Sequence, residues 1–149
     1  MKWNRKKRIE ELPKLLKEKI LLLDGAMGTM IQAEKLTEED YRGKRFKDHK
    51  KSLFGNNDIL SITQPDLISN IHLEFLKSGS SIIETNSFSS TSISQDDYSM
   101  SDLAYELNYQ SAKIARDTCD EYEKQFSKEP KFVAGAIGPT NKTTSLSPD

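Results

Sequence analysis

Short apolar runs punctuate an otherwise polar chain at residues 20–23, 58–62, 81–85 and 132–137. Brief runs of this kind, bounded by polar or glycine-containing turns, predict strands buried in a parallel sheet. Between them the apolar residues recur at helical spacing. Leu12, Leu15, Leu16 and Ile20 predict a short amphipathic helix over about 8–18, with Pro13 either in its first turn or shortening it. Residues 30–35 predict a helical turn or two, and 36–57 a polar connection long enough to cover a site or hold it closed. Leu67, Ile68, Ile71, Phe75 and Leu76 form one stripe of a helix that starts at Pro65 and stops at Gly79. Leu103, Leu107, Ile114, Thr118 and Tyr122, flanked by Ala104, Ser111, Ala115 and Cys119, predict the longest helix, 101–126, with Ser101 as N-cap.

Strands that alternate with helices, with no Asn-Gly or Asp-Gly turn joining two adjacent strands as a hairpin, predict an α/β fold with a parallel sheet. In such sheets the polar residues at the carboxyl ends of the strands line the edge where ligands bind. Here those residues are Asp24, Thr63, Thr85 with Asn86, and Thr140 with Asn141. The first run ends in Asp24, Gly25, Ala26, Met27 and Gly28, and the two glycines let the backbone turn tightly and approach a ligand.

Composition narrows the function classes. A chain of 149 residues suits one domain, and 22 basic against 23 acidic residues leave a net charge of −1, with no global field toward nucleic acid. That favours a neutral or zwitterionic small ligand. One cysteine excludes an internal disulfide and any multi-cysteine zinc site built from this chain, and fits a reducing, cytoplasmic setting. No apolar run is long enough for a bilayer, so no membrane partner is expected. The basic start, residues 2–8, reads as a solvated leader to the first helix rather than a nucleic-acid patch, giving a leader over 1–19 and a domain over 20–149.

Few side chains offer chemistry. An ionised Asp24 could hold an ammonium while the Gly25 and Ala26 N–H groups hold a carboxylate, which together suit an amino acid; alternatively Asp24 caps the next turn. Thr85 offers a hydroxyl, and Phe88 is either an apolar wall or ordinary core. Strand alternation places Ile83 and Thr85 on one face and Ile82, Glu84 and Asn86 on the other, leaving Glu84 to brace a neighbouring loop or sit in solvent. His49 and His72 have no second ligand at metal spacing, and Cys119 reads as a small core residue. Neither the phosphate-cradling loop nor the dinucleotide fingerprint is present.

Five blocks carry a resemblance: LDGAMGTMIQ (23–32), YRG with FKDH (41–43, 46–49), GNNDILSITQP (55–65), IETNSFSSTS (83–92) and VAGAIGPTNK (133–142). Across about residues 20–149 the chain resembles the start of the homocysteine-binding module of cobalamin-dependent methionine synthases, within the homocysteine S-methyltransferases. The third and fifth blocks point to the cobalamin-dependent branch, against relatives that take methyl groups from betaine or methylmethionine.

The resemblance implies the N-terminal half of a (β/α)8 barrel, with about four β/α units. It implies that Asp24 receives the homocysteine ammonium, that the backbone at Gly25 and Ala26 receives its carboxylate, and that Thr85 and Phe88 line the same pocket. It implies methyl transfer from methylcobalamin, recharged by 5-methyltetrahydrofolate on partner modules, to a homocysteine thiol bound to zinc through three cysteines. Those cysteines match no position here and would lie beyond Asp149, so the chain alone is expected to hold no catalytic residue, zinc or cobalamin, and to be inactive. A barrel takes typically about 250 residues, which makes this chain a fragment of one. The competing expectation is a non-catalytic amino-acid-binding or protein-interaction fragment.

Overall fold

The computed structural model of the chain describes residues 3–140 and residue 142. Expectations for Asn141 and the tail after residue 142 lie outside the described residues.

The sheet is small and parallel. Strand β1 (Ile82–Glu84) pairs with β2 (Phe132–Ala134) in the register Ile82 to Phe132, Ile83 to Val133 and Glu84 to Ala134. On the other side of β1, Leu23 forms a parallel bridge to Ile82, and the Asp24 N–H donates to the Ile82 carbonyl at 2.9 Å. Three of the expected strands therefore lie side by side, their polar ends on one edge. The first is reduced to that single bridge, and its apolar run is not buried: Ile20 is 87% exposed, and Leu22 and Leu23 are about half exposed. Within the described residues nothing packs over the outer side of this run.

The expected strand at 58–62 is instead helical. A 3-10 turn, Asn57–Ile59, leads into α4 (Leu60–Thr63). A run with apolar residues at 59, 60 and 62 fits a short helix buried on several sides as well as it fits a strand, and Ile59 and Leu60 are both fully buried. Asn57 and Asp58 find partners in the loop after β1, and Asn56 pairs with Gln95 of the short helix beyond it, which favours the turn. Thr63 is consequently not at a strand end; its hydroxyl donates back to the Ile59 carbonyl at 3.3 Å.

Earlier in the chain come α2 (Met27–Ala33) and α3 (Glu38–Arg42), the latter opened by a capping box between Thr37 and Asp40. The 36–57 connection is thus partly helical and contributes Tyr41 and Leu53 to the core.

Helix α5 (Pro65–Lys77) begins at proline and ends with Gly79 at φ +111°. The Ser80 N–H reaches the Phe75 carbonyl and the Gly79 N–H that of Leu76, the Schellman arrangement that glycine permits. A short helix, α6 (Ser92–Gln95), and a 3-10 turn at Ser101–Leu103 precede α7 (Ala104–Phe126). Ser101 is not the N-cap expected for α7. It lies inside the 3-10 turn, and its hydroxyl donates to Asp96 at 3.0 Å.

The larger core cluster joins Ile31, Tyr41, Leu53, Ile59, Leu60, Ile68, Ile71, Met100 and Leu107; a smaller one joins Leu76, Ile83, Ala115 and Cys119. Each fully buried Leu or Ile contributes roughly 1.5–3 kcal/mol. His72 sits on the buried face of α5, fully buried, and among the described residues neither ring nitrogen has a hydrogen-bond partner. Burial pushes its pKa down to about 4, so it is a neutral core residue.

Helix α1 (Arg5–Glu18) departs from its expected packing. Pro13 lies in its interior rather than its first turn, on the exposed side, and of the predicted stripe only Leu15 is buried, Leu16 being 58% exposed. The anchor is Arg8, a member of the basic start read as solvated. Its guanidinium is buried and donates to Asp120 at 2.7 Å, to Glu123 at 2.6 Å and to the Trp3 carbonyl at 3.0 Å. Arg116 completes the cluster by donating to Asp120, Glu123 and the Lys131 carbonyl. Among the described residues no helix is long and apolar enough to cross a membrane.

Candidate functional site

Beyond the carboxyl end of β1 lies a cavity of about 660 Å³. All five residues singled out for substrate binding line it: Asp24, Gly25, Ala26, Thr85 and Phe88. The parallel register explains the convergence, since the bridge at Leu23 and the pairing of Glu84 with Ala134 bring the segments that follow them to one edge. Thr140, also expected on this edge, does not line the cavity; its hydroxyl donates to the Lys142 carbonyl at 3.3 Å.

Asp24 accepts the Glu84 N–H through both carboxylate oxygens, at 3.0 and 3.1 Å. It therefore braces the end of β1 rather than capping the turn that follows it, and retains lone pairs for a ligand. Partial burial raises its pKa to about 6; the Glu84 N–H opposes that rise and the Glu84 charge adds to it. The Glu84 side chain is exposed.

The tight backbone after Asp24 is at Ala26, with φ 21° and ψ 48°, and not at either neighbouring glycine. Gly25 contributes openness instead: a Cβ there would meet nothing within 4 Å. Among the described residues no backbone carbonyl takes the N–H of Gly25 or Ala26. Two donors are thus left beside a carboxylate in one cavity.

Thr85 is buried, as alternation predicts for a partner of Ile83. Its hydroxyl accepts the Ala136 N–H at 3.0 Å and lies 2.6 Å from the Ser87 hydroxyl, which donates to the Ala136 carbonyl at 3.0 Å. Phe88 is 58% exposed and so is not core. It rests on Gly138, whose N–H donates to the Phe88 carbonyl at 2.9 Å. A Cβ on Gly138 would lie 2.6 Å from both that carbonyl and the Phe88 ring, so only glycine fits.

Sequence reasoning missed a second group. Asn56, Asn57, Asp58, Ser89 and Tyr98 also line the cavity. Asp58 is buried, and burial raises its pKa to about 6 against the hydrogen bonds from Ser90 and Ser89. The available signal was Asn56-Asn57-Asp58 standing directly before an apolar run, a helix-start pattern. Among the described residues the wall carries the acids Asp24, Asp58, Glu84 and Asp97 and no lysine or arginine, so the site favours a ligand with a cationic group.

The described residues do not suit a zinc centre. The one cysteine, Cys119, is sealed in the core against Leu76, Ile83 and Ala115, and burial pushes its thiol up to about 12. Among the described residues no group of three His, Cys, Asp or Glu side chains is placed to hold a metal ion.

Comparison with known proteins agrees with this architecture. Crystal structures of the homocysteine methyltransferase MmuM from Escherichia coli resemble the chain. The oxidised form has TM-score 0.68 and 25% identity, covering 86% of this chain; the metallated form has TM-score 0.67 and 24% identity. The chain spans 40% and 41% of the lengths of those two structures, and its fold is that of the N-terminal part of the barrel. The family model for homocysteine S-methyltransferase matches residues 21–149. The chain belongs to the homocysteine S-methyltransferase family.

Proposed function

We propose that this chain supplies the amino-acid-binding part of a homocysteine S-methyltransferase, and more narrowly of a cobalamin-dependent methionine synthase. The observation that carries the reading is the juxtaposition, in one acid-walled cavity, of the Asp24 carboxylate with the N–H groups of Gly25 and Ala26, which no backbone carbonyl among the described residues takes. The homocysteine ammonium pairs with Asp24, its carboxylate takes the two N–H groups, and its aliphatic arm runs between Thr85 and Phe88. A charged head group held at both ends leaves the thiol at a defined distance from the clamp.

In the complete enzyme the methyl group passes from methylcobalamin, recharged by 5-methyltetrahydrofolate, to the homocysteine sulfur, giving methionine. The cobalamin- and folate-binding modules are then partners of this part, acting in the cytoplasm. Zinc would have to be held by residues other than those described. The narrower assignment to the cobalamin-dependent branch rests on the GNNDILSITQP and GPTNK blocks.

A second reading, an amino-acid-binding or interaction module without methyl transfer, draws on the exposed apolar residues Ile20, Leu22, Leu23 and Ile137. Calorimetric titration of the chain with homocysteine, beside Asp24→Ala, tests the clamp. Binding that Asp24→Ala abolishes is expected; equal binding by both would rule the clamp out. Zinc-dependent methyl transfer by the chain alone would overturn the assignment of the chemistry to other residues.

A further inference from the structure

We propose that Asp58 is the positioning residue of this pocket: from the turn before α4 it holds the 87–90 segment, and with it Phe88, where a ligand meets them. The inference rests on the homocysteine reading for the identity of that ligand, but not for the geometry of the segment.

Both hydrogen bonds to Asp58 fall on one carboxylate oxygen, Oδ2, which accepts the Ser89 N–H at 2.7 Å and the Ser90 hydroxyl at 2.9 Å. Neighbours of Asp58 secure the same segment from other sides. The Asn56 and Gln95 amides pair reciprocally, at 2.9 and 3.2 Å, and Gln95 Nε2 also donates to the Ser89 carbonyl at 3.0 Å. Asn86 Nδ2 donates to the Asn57 carbonyl at 2.8 Å, and Asn108 Nδ2 to the Ser90 carbonyl at 2.7 Å. The turn at 56–58 is itself fixed, because the Tyr41 hydroxyl donates to Asn57 Oδ1 at 2.9 Å.

Within this network Asp58 is the only charged member. A charge-assisted hydrogen bond is roughly twice as strong as a neutral one, and a single oxygen serving two donors needs that strength. Keeping a carboxylate buried is costly unless it is well bonded, so its retention at the cavity wall points to a task that an amide would do less well. The Phe88 side chain is exposed and rests on Gly138, so its placement follows that of the backbone on either side of it. Asp58 touches none of the groups assigned to the amino-acid head, so its effect on binding passes through the segment.

The test compares hydrogen exchange and homocysteine affinity in the full chain and in Asp58→Ala, Asp58→Asn and Ser90→Ala. In Asp58→Ala the Ser89 amide is expected to exchange at least tenfold faster and homocysteine to bind at least tenfold more weakly, while α7 amides such as Cys119 keep their protection. Asp58→Asn, which keeps an acceptor oxygen, and Ser90→Ala, which removes one donor, should each give a smaller step in both readouts. Unchanged Ser89 exchange in Asp58→Ala, with α7 intact, overturns the proposal. Should Asp58→Ala also loosen α7, the two milder variants decide, and Ser89 exchange that stays at the wild-type rate in both overturns it. A chain that fails to bind homocysteine at all defeats the reading of the ligand, whereas Ser89 exchange still decides the positioning role.

Discussion

Asp24 and Glu84, sixty positions apart, are joined by a two-oxygen clasp in which the side chain of one receives the backbone N–H of the other. The clasp ties the loop after the first segment to the end of β1, so the residue proposed to hold the ligand ammonium also fixes the wall beside it.

That double duty has a pH signature. The carboxyl of Asp24 is raised to about 6, so it is largely ionised at neutral pH and protonated in mild acid. Homocysteine affinity should therefore fall as pH is lowered through about 6, well above the range of an ordinary aspartate near 3.9. Calorimetric titrations at about pH 5 and about pH 7.5 check this. Affinity that stays flat across that interval would remove Asp24 from the clamp.

Gly138→Ala should damage the pocket from outside it. Its Cβ would fall 2.6 Å from the Phe88 carbonyl, and a backbone atom cannot swing aside as a side-chain tip can. A loss of about 1–3 kcal/mol in urea unfolding, with weaker homocysteine binding, is expected.

His72 makes the fold sensitive to acid in the opposite sense to the two raised carboxyls. Its folded pKa, about 4, lies below the unfolded value near 6.5, so the unfolded chain takes up the proton first. The stability it secures is complete above about 6.5 and drains away as pH falls toward 4, by up to about 3 kcal/mol. Asp58 works the other way: its pKa is raised to about 6, so the folded chain binds the proton first and gains as pH falls from about 6 toward 4. Urea midpoints measured across this range for the chain and for His72→Leu separate the two. The variant should lose the acid-labile component and be more stable at neutral pH, since two unbonded buried nitrogens disappear.

Arg8→Ala should release α1. Glu123 has a buried side chain and would keep Arg116 as its remaining guanidinium partner. Breaking a buried pair from one side costs about 3–5 kcal/mol, of which Arg116 should recover a part. Unfolding in urea, together with proteolysis of the first twenty or so residues, measures the cost and locates it. A change below about 0.5 kcal/mol would show the pair to be ornamental.

The long helices were legible because their information is local. In α5 a proline start, a repeating stripe and a glycine stop fall within fifteen positions, 65–79, and α7 carries an even longer stripe. The 58–62 run was misread because five residues with apolar positions on more than one side satisfy a strand and a buried helical turn equally. What separates them is the answer given to Asp58 by Ser89 and Ser90, thirty-one and thirty-two residues away. The same distance hid the role of Asp58 in the site. Asp24, Thr85 and Phe88 could be picked out because strand ends in a parallel sheet share an edge, and the motif blocks mark them. The exposure of Leu16 and Ile20 could not, since an apolar stripe declares that it wants covering and not whether the residues in hand cover it.

The hydroxyls at the end of β1 form a one-way circuit. The Ala136 N–H feeds Thr85, and the Ser87 proton is spent on the Ala136 carbonyl, so the Thr85 proton must go to Ser87. Every proton in the circuit is committed, and what Thr85 can still show the cavity is a lone pair. That wall therefore welcomes a ligand atom bearing hydrogen and turns away one that bears only lone pairs. A donor such as the ammonium of an amino acid can meet it, whereas a carboxylate oxygen in the same place has nothing to give.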